Sequence, residues 1–330
     1  MALGEFDLIA RYFRRPQQPA SGAVVLGVGD DCALLQPAAG TQMAISCDML
    51  VECRHFFADV DPFTLGHKAL AVNLSDLAAC GAKPLACTLA LALPRADEAW
   101  LAGFSKGLFA LADTHGCQLI GGDTTRGPLT ICITVFGEVP VVDGHSQALL
   151  RSGAQAGDDI WVSGTLGDAR LALLALQGEL ALDPSLLAAA RLRLEQPTPR
   201  VALGQALRGV ASAALDLSDG LAGDLGHILE ASACGATLET PALRGLLATA
   251  AAQAGLDEAQ VLSLVLNGGD DYELLFTASP QRREAVLRAG TRTAVPLTRI
   301  GRIDATPGLR LVDAQGHEQP NCYASFDHFR

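Results

Sequence analysis

The chain has 330 residues, 49% of them hydrophobic and 5% aromatic, with 36 acidic against 24 basic side chains and a formal net charge of −12. So acidic a chain excludes general affinity for nucleic acid, whose phosphate backbone needs a basic surface. Its length favours two domains, and no run of about 18 apolar residues lacks a charge or strong polar break, so no membrane span is expected.

The opening, MALGEFDLIARYFRR, carries Glu5 and Asp7 and lacks an extended apolar core, so it reads as an amphipathic first helix rather than an export signal. A cytoplasmic protein is expected. Short apolar runs follow at 23–28, 42–46, 86–93 and 130–137, strand-like in length and branching. Between them lie two helix candidates. Residues 62–79 open on Pro62, and residues 97–114 open on Asp97 and Glu98 with Trp100, Leu101, Phe104, Leu108 and Leu111 on one face. That stripe is read as core packing. The charge-poor connection 140–158, with Pro140, Gly144, Gly153 and Gly157, is the natural boundary, giving domains 1–150 and 151–330. Beyond it, strands are predicted at 159–164, 211–218, 272–277, 296–303 and 309–313. Helices are predicted at 168–177, 184–194, 199–208, 221–232 and 280–289. The fold class is α/β, with mixed strands and helices throughout.

Nine cysteines form no CxxC pair, and most lie in apolar runs, so they are expected to be reduced core residues rather than zinc ligands. Only three lysines occur, Lys68, Lys83 and Lys106. A protein handling phosphates with so few lysines must find countercharge elsewhere, and carboxylate-held metal ions are the physical alternative.

Acids are placed accordingly. GVGDD (27–31), SCDML (46–50), NLSD (73–76), GGDTTRG (121–127), LDLSDG (215–220) and NGGDDYE (267–273) punctuate the apolar runs. Four of them are expected just past a strand, at the sheet rim where α/β proteins bind ligands, and NLSD within the first long helix. Any single Gly-Asp pair is ordinary turn chemistry; six together point to a magnesium site with room for phosphate oxygens. There is no GxxxxGK[ST], no third glycine for a dinucleotide fingerprint, and no protein-kinase set. DLSDGLAGDLG lacks the glycine position and closing Glu of an EF-hand loop. Nothing supports a Ser–His–Asp triad.

In their order, GEFDLIARYF, GVGDDCALL, ISCDMLVECRHF, KALAVNLSDLAACGAKP, LIGGDTTRGPL, RSGAQAGD, LDLSDGLAGDLGHI, GGDDYEL and FDHF resemble the thiamine-monophosphate kinases. These are relatives of aminoimidazole ribonucleotide synthetase and selenophosphate synthetase. The resemblance runs nearly end to end. It implies two α/β domains of the aminoimidazole-ribonucleotide-synthetase type, a homodimer paired through the N-terminal domains, and direct transfer of the ATP γ-phosphoryl group to thiamine monophosphate with several Mg²⁺ ions. By the same resemblance Asp31, Ser46, Cys47, Asp48, Asp76, Asp123, Asp216 and Asp219 are the metal set, with Asp76 bridging ions. Asp48, Asp76, Asp123 and Asp219 sit closest to the chemistry. Gly122, Asp123, Arg151 and Ser218 are the ATP contacts, and His55, Asp270 and Phe326 the acceptor contacts; Asp271 and Glu273 stand beside them as structural or binding residues.

Three positions depart from the family pattern. Cys47 stands where Thr is usual, and a thiol is a poor magnesium ligand. Asp270 replaces Glu, one methylene shorter, and Phe326 replaces Trp or Tyr, keeping a stacking face but no hydrogen bond. Two other readings stay open: a sister ATP-dependent synthetase, and a silent nucleotide- or metal-binding module. Against selenophosphate synthesis, no cysteine precedes GVGDD.

Overall fold

The computed structural model of the chain describes residues 4–15, 23–247 and 255–321. They divide into two units, Met1–Leu77 with Ala82–Gln147, and Ala78–Gly81 with Ala148–Arg330.

In the first unit, α1 (Glu5–Leu8) runs into a π-helical turn, Ile9–Phe13, and a small antiparallel pair follows, β1 (Val24–Leu26) and β2 (Leu34–Leu35). The main elements are β3 (Thr41–Val51), α2 (Pro62–Ala79), β4 (Lys83–Leu93), α3 (Glu98–His115), β5 (Gln118–Arg126), β6 (Thr130–Val142) and β7 (His145–Ser146). The sheet order is β3-β6-β4-β5, with β7 paired to β6 and only β4–β5 parallel along the main path. Asp97 caps α3 by accepting N–H bonds from Ala99 and Trp100, as a short carboxylate before a helix can. The α3 stripe packs inward, with Leu101, Phe104, Leu108 and Leu111 buried and Trp100 stacked on Phe104. Helices α2 and α3 approach so closely that a Cβ at Gly107 would lie 1.9 Å from the Phe63 carbonyl oxygen. Along β6, Ile131, Ile133 and Val135 are buried, and the register puts Leu50, Asp48 and Ser46 of β3 beside them on that same face. On the other face β3 presents Ile45 and Met49, which are 62% and 55% exposed.

The second unit carries β8 (Asp159–Ser163), α4 (Asp168–Leu176), α5 (Pro184–Glu195), α6 (Val201–Leu207), β9 (Ala213–Asp216), α7 (Leu221–Ser232) and β10 (Gly235–Glu239). It continues with α8 (Thr240–Arg244), α9 (Glu258–Asn267), β11 (Leu274–Ala278), α10 (Arg283–Thr293), β12 (Leu297–Asp304), β13 (Gly308–Val312) and β14 (Glu318–Gln319). Its sheet runs β14-β13-β10-β12-β8-β11-β9, antiparallel except for β10–β13. Ile160, Val162, Leu215, Leu275 and Ile303 of the sheet join Leu171, Leu225, Ile228 and Val265 of the helices in one core.

Several expectations need correction. Asp48 and Asp123 lie inside strands rather than past their ends, because β3 extends to Val51 and β5, unforeseen from its glycines, spans Gln118–Arg126. Strand β10 and helix α9 were also unforeseen, the latter despite a capping box between Asp257 and Gln260. The last predicted helix begins later, at Arg283, after a short 3-10 turn from Pro280. Cysteine burial is likewise overstated: Cys87, Cys117 and Cys234 are buried, whereas Cys32, Cys47 and Cys53 are exposed. Phe326 and the FDHF segment lie outside the described residues.

Candidate active site

In the first unit the predicted residues gather on the helix-covered face of β3. Ser46 and Asp48, two apart on a strand, point the same way. The Ser46 hydroxyl donates to the Asp76 carboxylate of α2 at 2.5 Å, and the Asp48 backbone N–H donates to the Asn73 side-chain oxygen at 3.0 Å. Asn73, one turn before Asp76 and almost fully buried, is held by its own bond to the Ala69 carbonyl. Sequence reading missed Asn73, although its place in NLSD was on view. Cys47 faces the opposite way, its sulfur 3.4 Å from that of Cys132. Burial, with Cys47 adjacent, pushes the Cys132 thiol up to about 11.

Asp123 is separated from this group within the sheet. On β5 it pairs with Ala90 of β4, and β5 lies three strand steps from β3, roughly 14 Å across. Gly122 before it has φ +144°, and a Cβ there would lie 1.8 Å from the Leu89 carbonyl oxygen, so only glycine fits. Asp31 follows the exposed turn at Gly29, where Asp30 accepts its N–H. A cavity of about 180 Å³ lies between the segments leading to these two acids, lined by Gly27, Val28, Leu119 and Ile120 with Phe13 and Phe109. His55 sits in the turn after β3, its Nδ1 accepting the Val51 N–H at 2.9 Å. In the neutral ring this leaves the proton on Nε2, making that nitrogen a donor. The buried Lys68 ammonium lies 3.5 Å from the His55 carbonyl oxygen.

In the second unit the backbone itself brings the predicted residues together. Asp216 ends β9, and the turn that follows carries Ser218 and Asp219 before Gly220, at φ +109°, opens α7. Asp224, from the first turn of α7, accepts the N–H groups of Ser218 and Asp219, both at 3.1 Å. Burial pushes the Asp224 carboxyl up to about 6, with Asp219 adding to the rise and the backbone donors opposing it. Asp224 was visible in LAGDLG but not singled out, since nothing in sequence shows a carboxylate turning back on its own turn.

The segment 268–273 lies alongside. Asp270 N–H donates to the Ser218 carbonyl, and Tyr272 N–H to the Leu217 carbonyl, extending the β9–β11 ladder. Its anchors are Asp271, which accepts the Gly167 N–H and is pushed well above the carboxylate range by burial, and Glu273. Glu273 is fully buried between Arg193, Arg200 and Ser163. These two acids hold the segment down. Arg151 is exposed on the strip beside β9, where Leu150 accepts the Ala214 N–H and the Ser232 hydroxyl ties down Arg151, Gly153 and Ala154.

Among the described residues no three His, Cys, Asp or Glu side chains form a ready metal cage. The donors present are nonetheless hard oxygens, suited to an ion that takes one or two carboxylates and completes its shell with water and phosphate. Cys47 is the exception, because its thiol leaves the Asp48 face altogether.

Residues 29–139 match the family model for the AIR synthase related protein N-terminal domain, and residues 155–314 that for its C-terminal domain. The thiamine-monophosphate kinase of Salmonella typhimurium is 48% identical over all of this chain and 99% of its own length. The chain belongs to the thiamine-monophosphate kinase family. The crystal structure of thiamine-monophosphate kinase from Stenotrophomonas maltophilia superposes with a TM-score of 0.82 at 47% identity, covering 91% of this chain and 93% of that one. AaThiL complexed with AMPPCP and TMP superposes at 0.74 with 27% identity, covering 89% of each chain. Among the described residues no helix is long and apolar enough to cross a membrane.

Proposed function

We infer that the chain uses ATP to phosphorylate thiamine monophosphate, giving thiamine diphosphate and ADP by direct in-line transfer. Whole-length identity of 47–48% to thiamine-monophosphate kinases carries this reading. The hydrogen-bonded pairing of the Asp216–Asp219 turn with the Asp270 segment supports it, since it sets phosphate-side and acceptor-side candidates together. Transfer through a loose transition state asks for alignment and charge neutralisation rather than covalent help.

Magnesium is the fitting metal: in the first unit Asp31, Ser46, Asp48, Asp76 and Asp123 would hold it, with the Cys47 position offering at most its carbonyl, and in the second Asp216 and Asp219 would. Bound there, it would neutralise phosphate oxygens and align nucleophile and leaving group. The chain's own residues do the rest. In the first unit Gly122 would let backbone approach ATP and the cavity beside Phe109 would take its base; in the second Ser218 and Arg151 would donate to phosphate oxygens. His55 Nε2 donates to the acceptor's phosphate, Asp270 meets its cationic ring, and Phe326 offers a stacking face.

The working unit is a homodimer in the cytoplasm. Its support is the apolar face of Ile45 and Met49, and the stranding of Asp123 at the sheet edge opposite Asp48. Two sheets closed edge to edge, β3 of one copy against β5 of the next, would bury that face and bring Asp123 beside the partner's β3. The first unit thus dimerises and carries ATP and metal residues, and the second carries ATP and acceptor residues of its own.

An acceptor panel tests the function. Purified protein with ATP and Mg²⁺ should turn over thiamine monophosphate but neither thiamine nor an aminoimidazole precursor. Orthophosphate release without a phosphorylated acceptor would instead make it a sister synthetase.

A further inference from the structure

Asp270 and Tyr272 both adopt left-handed backbone, φ +65° and +50°, where neither is glycine. Each such residue costs roughly 1–3 kcal/mol and persists only where its surroundings impose it. Here they do. Asp271 and Glu273, at 2% and 0% exposure, anchor the alternate positions, and the Asp270 and Tyr272 N–H groups are bonded to the Asp216–Asp219 turn. Asp270 and Tyr272 are therefore pressed to the same side, half-buried, and the Tyr272 hydroxyl donates to Asp270 Oδ1 at 3.2 Å. A phenol held in a strained conformation so that it meets a carboxylate two residues back is an expensive way to fill space.

We propose that Tyr272 is a positioning residue for acceptor recognition, its hydroxyl fixing the Asp270 carboxylate toward the cationic ring of the acceptor. The inference rests on the reading of Asp270 as an acceptor contact. Aspartate is short, so its direction matters more than a longer glutamate's would, and a phenol donor sets that direction. The ring cation gains from a carboxylate that does not have to be reoriented on binding.

A double-mutant cycle read on the two Michaelis constants tests this. Tyr272→Phe should raise KM for thiamine monophosphate roughly 3- to 10-fold, the scale of one ordinary hydrogen bond, and leave KM for ATP unchanged. Asp270→Asn should raise the same constant at least as far, and adding Tyr272→Phe to it should change it by less than about twofold. Tyr272→His, a residue tolerated in left-handed backbone that keeps a ring donor, should fall between wild type and Tyr272→Phe. Equal effects of Tyr272→Phe in both backgrounds, or a parallel rise in KM for ATP, would overturn the proposal while leaving Asp270 as an acceptor contact. An Asp270→Asn variant with unchanged acceptor KM would remove both.

Discussion

Asp76 accepts the Ser46 hydroxyl and is half-buried, outside the apolar core. Asp76→Asn should therefore cut kcat by at least about a hundredfold, as loss of a preorganised charge does, while circular dichroism and melting temperature stay near wild type. Near-native turnover would contradict its role. Asp224 acts differently, through the two N–H groups it receives. Asp224→Ala would strand both donors, at about 1–3 kcal/mol for a buried unsatisfied group, and loosen the turn carrying Ser218 and Asp219. KM for ATP should rise, and an unaltered ATP affinity measured by calorimetry would count against that link. At this scale the acids themselves were legible, because charged residues beside glycine stand out in an apolar chain. Their directions were not. The opposed faces of Cys47 and Asp48 follow from strand alternation only once β3 is known to run to Val51.

Elements set the second group of expectations. β5 was missed because Gly121 and Gly122 weaken any strand pattern, but the structure uses Gly122 for a backbone approach that a side chain would block. Gly122→Ala should yield largely insoluble protein, and a soluble variant with wild-type melting behaviour would refute this close packing. In the second unit, Asp159 of β8 is paired with Arg283 and Arg299 at 2.6–2.8 Å. Burial raises its carboxyl, but the two guanidiniums outweigh burial and hold it below the usual range. Its folded pKa is depressed, so the stability it contributes is present above the unfolded value near about 4 and is lost as pH falls through the lower folded value. Asp159→Asn should destabilise the fold at neutral pH by about 1–2 kcal/mol, because the two guanidiniums stay partly exposed, and flatten the acid limb of the stability profile. An acid limb as steep as wild type would show that other carboxylates govern it. The helices of the sequence reading were nearly all legible, since caps such as Asp97 and Asp183 are local signals; β10 was not, because its support comes from sheet neighbours far along the chain, and α9 escaped although its Asp257 capping box is a local signal of the same kind.

For the whole molecule, the separation of Asp123 from Asp48 across the sheet gives the proposed dimer a functional test. If each site takes Asp48 from one copy and Asp123 from the other, mixing inactive Asp48→Asn and Asp123→Asn proteins under subunit exchange should restore roughly a quarter of wild-type activity, since half the dimers would carry one intact site of two. No recovery, with exchange verified by mass, would place both acids in one copy's site. Such a pairing could not be read from the residues alone, because sequence order hides which strands end at opposite sheet edges. The overall kinase reading is tested most directly by phosphorus NMR of a single reaction of the purified chain with ATP, Mg²⁺ and thiamine monophosphate. One ADP should appear for each thiamine diphosphate formed, with no orthophosphate; ATP consumed to orthophosphate while thiamine monophosphate stays unchanged would contradict the account.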